Sequence, residues 1–365
     1  MMFASIRAFV LKKVTVSLLV AVVAILCISV LVLFSASQGS WDKLYSHLVN
    51  ISIAIFLMWC IANLPFQYLH RIAFSLYVVG VLLLVLTMLI GDTSKGAQRW
   101  LDFGFIRLQP SELMKIAVPL TLAWYFDRYE KVLSLSNFIV ATILLLIPVA
   151  LILDQPDLGT AILVAASGFF IIFFAGLSMR VLVSLIILSL LALPFAWEFL
   201  HEYQQQRVLT LLNPYADPLG SGYHTIQSAI ALGSGGFFGK GWMNGTQSQL
   251  NFLPEGSTDF IFAVLGEEFG LVGIFVLAAL YGFIIYKGLH IASLASTLFA
   301  RLVAISVTLT LFIYAFVNIG MVTGILPIVG VPLPLVSYGG TSAVTLLLGI
   351  GILMNIDKNR RLVQT

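Results

Sequence analysis

VTVSLLVAVVAILCISVLVLF, residues 14–34, decides the class of fold, because every one of these positions is uncharged. A transmembrane helix needs about 20 predominantly apolar residues. The run is longer than the roughly 7–15 residues of a secretory h-region, so it reads as a retained span rather than a cleaved signal. Working outward, nine further stretches have the same character: 45–64, 71–91, 109–126, 136–153, 158–176, 179–197, 259–286, 299–321 and 337–356. The expectation is an all-α, polytopic integral membrane protein of about ten spans. The stretch 109–126 is the least apolar of them, because it carries Glu112 and Lys115.

Composition excludes the other classes. Apolar residues make up 60% of the 365-residue chain and charged residues only 10%, where a soluble domain has roughly 25%. The mean hydropathy is +1.05. A formal charge of +3 is too small for a polyanion-binding surface, so no nucleic-acid partner is expected. Cys27 and Cys60 both fall in apolar runs, which implies neither a disulfide framework nor a cysteine metal site. The alternating ten-residue strands of an outer-membrane barrel are absent from the sequence.

Lysine and arginine placement orients the spans. With the N-terminus in the cytoplasm, basic residues favour the inner side two to one, and both tails are basic. An even number of spans with both termini inside is self-consistent. Three outer connections stand out: 92–108, 198–258 and 322–336. The region 198–258, between spans seven and eight, is longer than an ordinary connector and has no apolar core of its own. It reads as a structured extracytoplasmic cap on one membrane domain covering 1–365. No inverted repeat is visible, which weakens a transporter architecture.

Ionisable residues inside a span are expensive, at roughly 2.5–3.5 kcal/mol each on insertion scales. Glu112 and Lys115 are three positions apart and share a helix face, either as a structural ion pair or as the lining of a polar cavity. Pro110 suits the first turn of that helix, and Glu112 complements its positive end. Asp259 opens the eighth span. It is either an N-cap or a carboxylate able to take a proton from a substrate hydroxyl or to bind a divalent cation. Glu267 and Glu268 lie about 80° and 180° around the helix from it, so the three cannot all face one cavity. Asp154 and Asp157 flank an outer turn, where turn chemistry and a cation site are both open readings. Arg99 is a surface charge or a planar fork for an anion. The glycine cluster 233–241 lacks the first glycine and the final Ser/Thr of a phosphate loop. Neither a Ser-His-Asp spacing nor HExxH occurs.

Several short motifs together resemble the SEDS family (RodA, FtsW and SpoVE) of bacterial cell-wall glycosyltransferases. They are Gly96-Ala97-Gln98-Arg99-Trp100, Gln109-Pro110-Ser111-Glu112 with Lys115, and Gln155-Pro156-Asp157-Leu158-Gly159-Thr160. Asn213-Pro214, Gln227-Ser228, Pro254-Glu255 and Thr258-Asp259-Phe260 follow, then the run from Pro332 to Gly340. Each piece is weak, but their joint order and spacing are specific. Short tails and the Thr-Asp-Phe-Ile-Phe run look more like the elongation branch, RodA, than the division branch.

The resemblance implies a peptidoglycan polymerase of the inner membrane that joins lipid II units through β-1,4 bonds on the periplasmic side. It releases undecaprenyl pyrophosphate with inversion. Asp259 matches the family's essential aspartate. Lys115 and Arg99 match positions suited to the pyrophosphate, with Glu112, Lys240 and Arg207 as further substrate-binding candidates. The family's divalent cation, Mg²⁺ or Mn²⁺, would find candidate ligands in Glu112 and Asp154. The implied partners are undecaprenyl-pyrophosphate-linked glycan, a class B penicillin-binding protein, other elongation-complex proteins and membrane lipid. A lipid II flippase and a non-catalytic scaffold are the rival functions.

Overall fold

The computed structural model describes residues 13–94, 97–102, 104, 107–130, 134–199 and 202–359. Lys95 and Gly96 of the first outer loop lie outside them, as do the basic residues Arg7, Lys12, Lys131, Arg360 and Arg361. Long helices occupy all ten expected spans. They are α1 (Lys13–Ala36), α2 (Trp41–Asn63), α3 (Phe66–Ile90), α4 (Pro110–Arg128) and α5 (Leu135–Asp154), then α6 (Leu158–Phe174) and α7 (Met179–Phe199). After the cap come three more, which we number α11 (Ile261–Ser293), α12 (Leu298–Val322) and α13 (Gly340–Asn359). The cap itself holds α8 (Glu202–Leu212), a 3₁₀ turn at Pro214–Ala216, α9 (Tyr223–Ser234) and the single turn α10 (Thr246–Gln249).

Seven of these helices are long and apolar enough to cross a membrane. The protein is a multi-pass, all-α membrane protein. The connection 92–108 departs from the helical expectation. It forms a small antiparallel sheet of β1 (Asp92–Ser94), β2 (Ala97–Asp102) and β3 (Arg107–Leu108), in the order β1-β2-β3. β1 and β3 are too short for period-two alternation to show, and β2, Ala97-Gln98-Arg99-Trp100-Leu101-Asp102, does not alternate apolar with polar.

Buried polar groups hold the bundle together by completing backbone hydrogen bonds, which lipid cannot satisfy. The Asn355 amide on α13 donates to the Ile61 and Leu64 carbonyls at the end of α2, at 2.7 Å each. The Ser306 hydroxyl on α12 donates to the Ser167 carbonyl on α6 at 2.7 Å. Small residues let the axes approach. A Cβ at Gly351 on α13 would stand 2.6 Å from the Met58 carbonyl oxygen on α2. Gly351→Val is therefore expected to cost about 1–3 kcal/mol, the usual range for overpacking. Thermal unfolding in detergent measures it, and an unchanged midpoint would mean the two helices separate without penalty.

The glycine cluster is explained by a break in α11. Gly270 has φ 62° and ψ −160°, which interrupts the helix ladder inside a membrane-spanning element. The cap fills the break with its own backbone. Lys240 and Gly241 donate N–H groups to the Glu267 and Glu268 carbonyls at 3.0 Å. Leu271 and Val272 donate to the Gly236 and Phe237 carbonyls at 3.1 Å. Such an approach leaves no room for Cβ atoms: one on Gly270 would collide with the Gly239 nitrogen, and one on Gly239 with the Glu268 carbonyl. Here the glycines serve backbone approach rather than phosphate binding.

Helix α7 stands out on the lipid side. Residues 183–192 are all exposed. Between it and α6 runs an apolar groove of about 710 Å³, walled by Phe169, Phe170 and Phe173 on one side and Leu185, Ile186 and Leu190 on the other.

Candidate functional site

A polar cavity of about 260 Å³ opens where the first turns of α4 and α6 meet the segments leading into α11 and α13. Its lining includes Arg99 and Trp100 from β2, Glu112 and Lys115 from α4, and Asp157 and Thr160 from α6. Glu255, Thr258 and Asp259 close one side, and Gly330–Pro332 with Tyr338 the other. Two cations and four carboxylates thus share one recess in a chain with few charges.

Helix α4 begins with Pro110 at its first position, where a missing N–H is harmless. That start sets Glu112 and Lys115 one turn apart. The Lys115 ammonium donates to Glu112 Oε1 at 2.6 Å and to the Tyr314 hydroxyl of α12. Only 3% of the Lys115 side chain is exposed, against 11% for Glu112. The pair is therefore both ion pair and cavity lining, and the two sequence readings describe the same object. Glu112 Oε2 is buried with no hydrogen-bond partner.

Asp259 precedes α11 rather than capping it. The cap position belongs to Phe260, which makes no side-chain cap bond, and the helix starts at Ile261. The Asp259 backbone is fixed from outside. Its carbonyl accepts from Asn318 Nδ2 at 2.8 Å, and the same amide holds the Val331 carbonyl at 2.7 Å. The Ser337 hydroxyl donates to the Thr258 carbonyl at 2.6 Å while accepting from Leu333 N at 2.7 Å. Tyr338 N donates to the Ser257 carbonyl at 2.9 Å. Gly330, with φ 72°, brings the second loop so close that a Cβ there would sit 3.6 Å from Asp259 Oδ2. Half-buried and anchored through its main chain, Asp259 faces the recess on a rigid mount.

Arg99 crosses to the α5–α6 turn. Its Nη2 donates to the Pro156 carbonyl at 2.5 Å, and its Nε lies 3.9 Å from Asp157 Oδ2. Asp157 caps α6 through Thr160 N at 3.3 Å and accepts from Gln109 Nε2 at 3.3 Å. Of the two turn aspartates, Asp157 lines the cavity, while Asp154 is exposed at the end of α5, outside the lining. Asp157 and Glu255 are the cavity carboxylates missing from the expected site residues: the sequence left Asp157 between turn chemistry and a cation site, and Glu255 entered only as part of a motif. Their signals were position: an aspartate opening a helix, and a glutamate four residues before Asp259.

The structure places Lys240 and Arg207 elsewhere. Lys240 Nζ is 2.8 Å from Glu267 Oε1, and that carboxylate also accepts from Thr246 Oγ1 at 3.1 Å and Gln247 N at 3.0 Å. Glu268 accepts from the Ser35 hydroxyl of α1 and from the backbone N–H groups of Met243 and Gly245 in the cap. Both glutamates thus anchor the cap rather than line the recess. Arg207 borders a separate cavity within the cap, beside His224.

The His224 ring stacks on Phe260 at 5.4 Å and 15°. Burial pushes its pKa below the ordinary 6.5, against an opposing pull from Glu255. With the folded value depressed, the unfolded chain takes up protons first on acidification. This stability contribution is full above pH 6.5 and is lost as the pH falls below it. His224→Phe, which keeps the stack, is expected to flatten the acid side of a melting profile taken between about pH 7 and 5. An unchanged slope would assign the acid sensitivity to other groups.

Among the described residues, no group of three or more His, Cys, Asp or Glu side chains forms a ready metal cage. The donor set nonetheless suits a hard cation held jointly with a ligand phosphate, which typically takes one or two protein carboxylates. The unpartnered Glu112 Oε2 is one such donor inside the recess.

The chain is similar to known proteins in sequence and in fold. The FtsW/RodA/SpoVE family model, described as cell cycle protein, matches residues 9–362. Peptidoglycan glycosyltransferase MrdB of Escherichia coli K12 is 50% identical over 348 residues, covering 95% of this chain and 94% of that protein. A chain of the solved structure "Structural coordination of polymerization and crosslinking by a peptidoglycan synthase complex" superposes with a TM-score of 0.81 at 33% identity, over 94% of this chain and 97% of that one. The crystal structure of Thermus thermophilus rod shape determining protein RodA gives 0.72 at 28% identity, over 94% and 96%.

Proposed function

The chain belongs to the FtsW/RodA/SpoVE family, and from that membership we infer that it is a peptidoglycan glycosyltransferase polymerising lipid II at the outer face of the cytoplasmic membrane. The observation that carries this reading is the sharing of one recess by Asp259 and the Lys115–Glu112 pair. In the reaction, the 4-hydroxyl of an acceptor sugar attacks C1 of the lipid-linked donor. The C1–oxygen bond to pyrophosphate breaks, and the leaving group departs with the electron pair. Asp259 takes the hydroxyl proton, a role worth about 10²–10⁴-fold in rate. Lys115 and Arg99 stand against the charge that develops on the pyrophosphate. Lys115 is held in place for this by Glu112 and Tyr314.

A divalent cation held by Glu112, with a second cavity carboxylate such as Asp157 or Asp259, would supply further neutralisation of the pyrophosphate. The groove between α6 and α7 suits the prenyl chain, since it is apolar and open to lipid. The two-to-one bias of the basic residues supports both termini facing the cytoplasm, with the recess facing the periplasm. A class B penicillin-binding protein and other elongation proteins are the partners this reading implies.

The flippase reading requires a polar path through the bilayer. Beneath Lys115 the structure holds instead a void of about 40 Å³ walled mainly by apolar groups such as Ile116, Ile284, Leu311 and Leu353. The test is reconstitution of purified protein with its penicillin-binding partner, lipid II and Mg²⁺ or Mn²⁺, with moenomycin present to silence classical transferases. Glycan ladders are expected. Their absence, with lipid II crossing vesicle membranes, would favour the flippase.

A further inference from the structure

Beside the recess, the cap contains a second cavity of about 280 Å³. Helix α8 contributes Gln206, Arg207 and Thr210, and the start of α9 contributes Ser221 and His224. The loop Leu326–Ile328 supplies an apolar wall. The two cavities are neighbours. The same loop continues into Gly330–Pro332, which line the recess, and His224 stacks on Phe260, the residue after Asp259. A ligand lying across this boundary would touch both.

We propose that this second cavity binds the carboxylate-bearing peptide arm of a substrate unit while its sugar is at Asp259. The proposal rests on the polymerase reading and extends it to a site for the arm. Four features carry it. Arg207 offers the planar fork that pairs with carboxylates in a bidentate manner. His224 Nδ1 is buried with no hydrogen-bond partner, so a polar atom there waits for a ligand or water. Thr210 Oγ1 lies 3.0 Å from Ser221 Oγ and Gln206 Nε2 lies 3.3 Å from the same oxygen, a cluster suited to amide groups. Leu326 and Ile328 suit small apolar side chains of a peptide. The phosphate end of the substrate is already served by Lys115 and Arg99 in the recess, on the other side of the loop.

The test uses the full chain in detergent and a water-soluble disaccharide pentapeptide that carries neither lipid nor phosphate. Its affinity is measured by calorimetry against the same compound with its carboxyl groups amidated. The acid form is expected to bind at least about tenfold more tightly than the amide, the least expected for a hydrogen bond to a charged group. Arg207→Met should abolish that difference, and His224→Phe should weaken binding while preserving the stack. Inorganic pyrophosphate should not displace the probe. Acid and amide binding equally, no binding by the wild type, an unaltered Arg207→Met, or displacement by pyrophosphate would each overturn the proposal. In turnover, Arg207→Met should raise KM for lipid II about tenfold with kcat changed by less than about threefold. If the wild type polymerises and Arg207→Met keeps its KM, the arm site fails and the polymerase reading stands. If the probe needs Arg207 but no glycan forms, the polymerase reading fails instead.

Discussion

Asp259→Ala is expected to reduce glycan polymerisation by at least about 10²-fold, the lower end of what a positioned base contributes. Asp259→Asn should do the same, because an amide keeps the shape but cannot take the hydroxyl proton. Neither variant should unfold the protein. The local main chain is held by Asn318 through the Asp259 carbonyl and by Ser337 through the Thr258 carbonyl, and both bonds survive the substitutions. The cap position of α11 belongs to Phe260, and the helix itself starts at Ile261, so neither substitution falls within it. Ladder length and yield give the activity, and a thermal melt gives the stability. Ladders at wild-type yield from Asp259→Ala would remove this carboxylate from the chemistry.

Lys115→Met is expected to fail in two ways at once. It removes a cation from the recess and leaves Glu112 buried without its ammonium partner, which typically costs about 3–5 kcal/mol. The double variant Glu112→Gln/Lys115→Met separates the two effects. Replacing a buried pair with neutral groups is often nearly free in stability, so the double variant should melt close to the wild type while staying inactive. The charge swap Glu112→Lys/Lys115→Glu should fold less well, because it puts a cation in the first turn of α4, where the helix end is positive. Recovery of polymerisation with recovery of stability would make the pair a purely structural tie.

The spans were legible because lipid imposes a length and an apolarity that few other structures need. Even α4, whose charges weaken its hydropathy, was legible from Pro110 at its start and from the spacing of Glu112 and Lys115. The membership of the recess was legible in part: Asp259, Lys115, Glu112 and Arg99 all reach it. Lys240 and Arg207 carry the right charge for the same role, but charge in a sequence has no address. Lys240 is engaged with Glu267, and Arg207 faces the cap cavity. The glycine cluster shows the same limit from the other side. Its meaning depends on Gly270, some thirty residues later, and on backbone bonds that form only when the two segments meet.

What the chain determined by itself was therefore what solvent enforces: helices where lipid demands about 20 apolar residues, and few charges outside places that can stabilise them. What only the folded molecule decided was which charges converge. Asp157 rather than Asp154 enters the recess, since a short turn points the two carboxylates of adjoining helices in different directions. Asp259 faces the cavity because α12 and the 330–338 segment grip its backbone from residues distant in sequence. Side-chain direction at a helix end is set by such contacts, and they exist only between elements that have already packed.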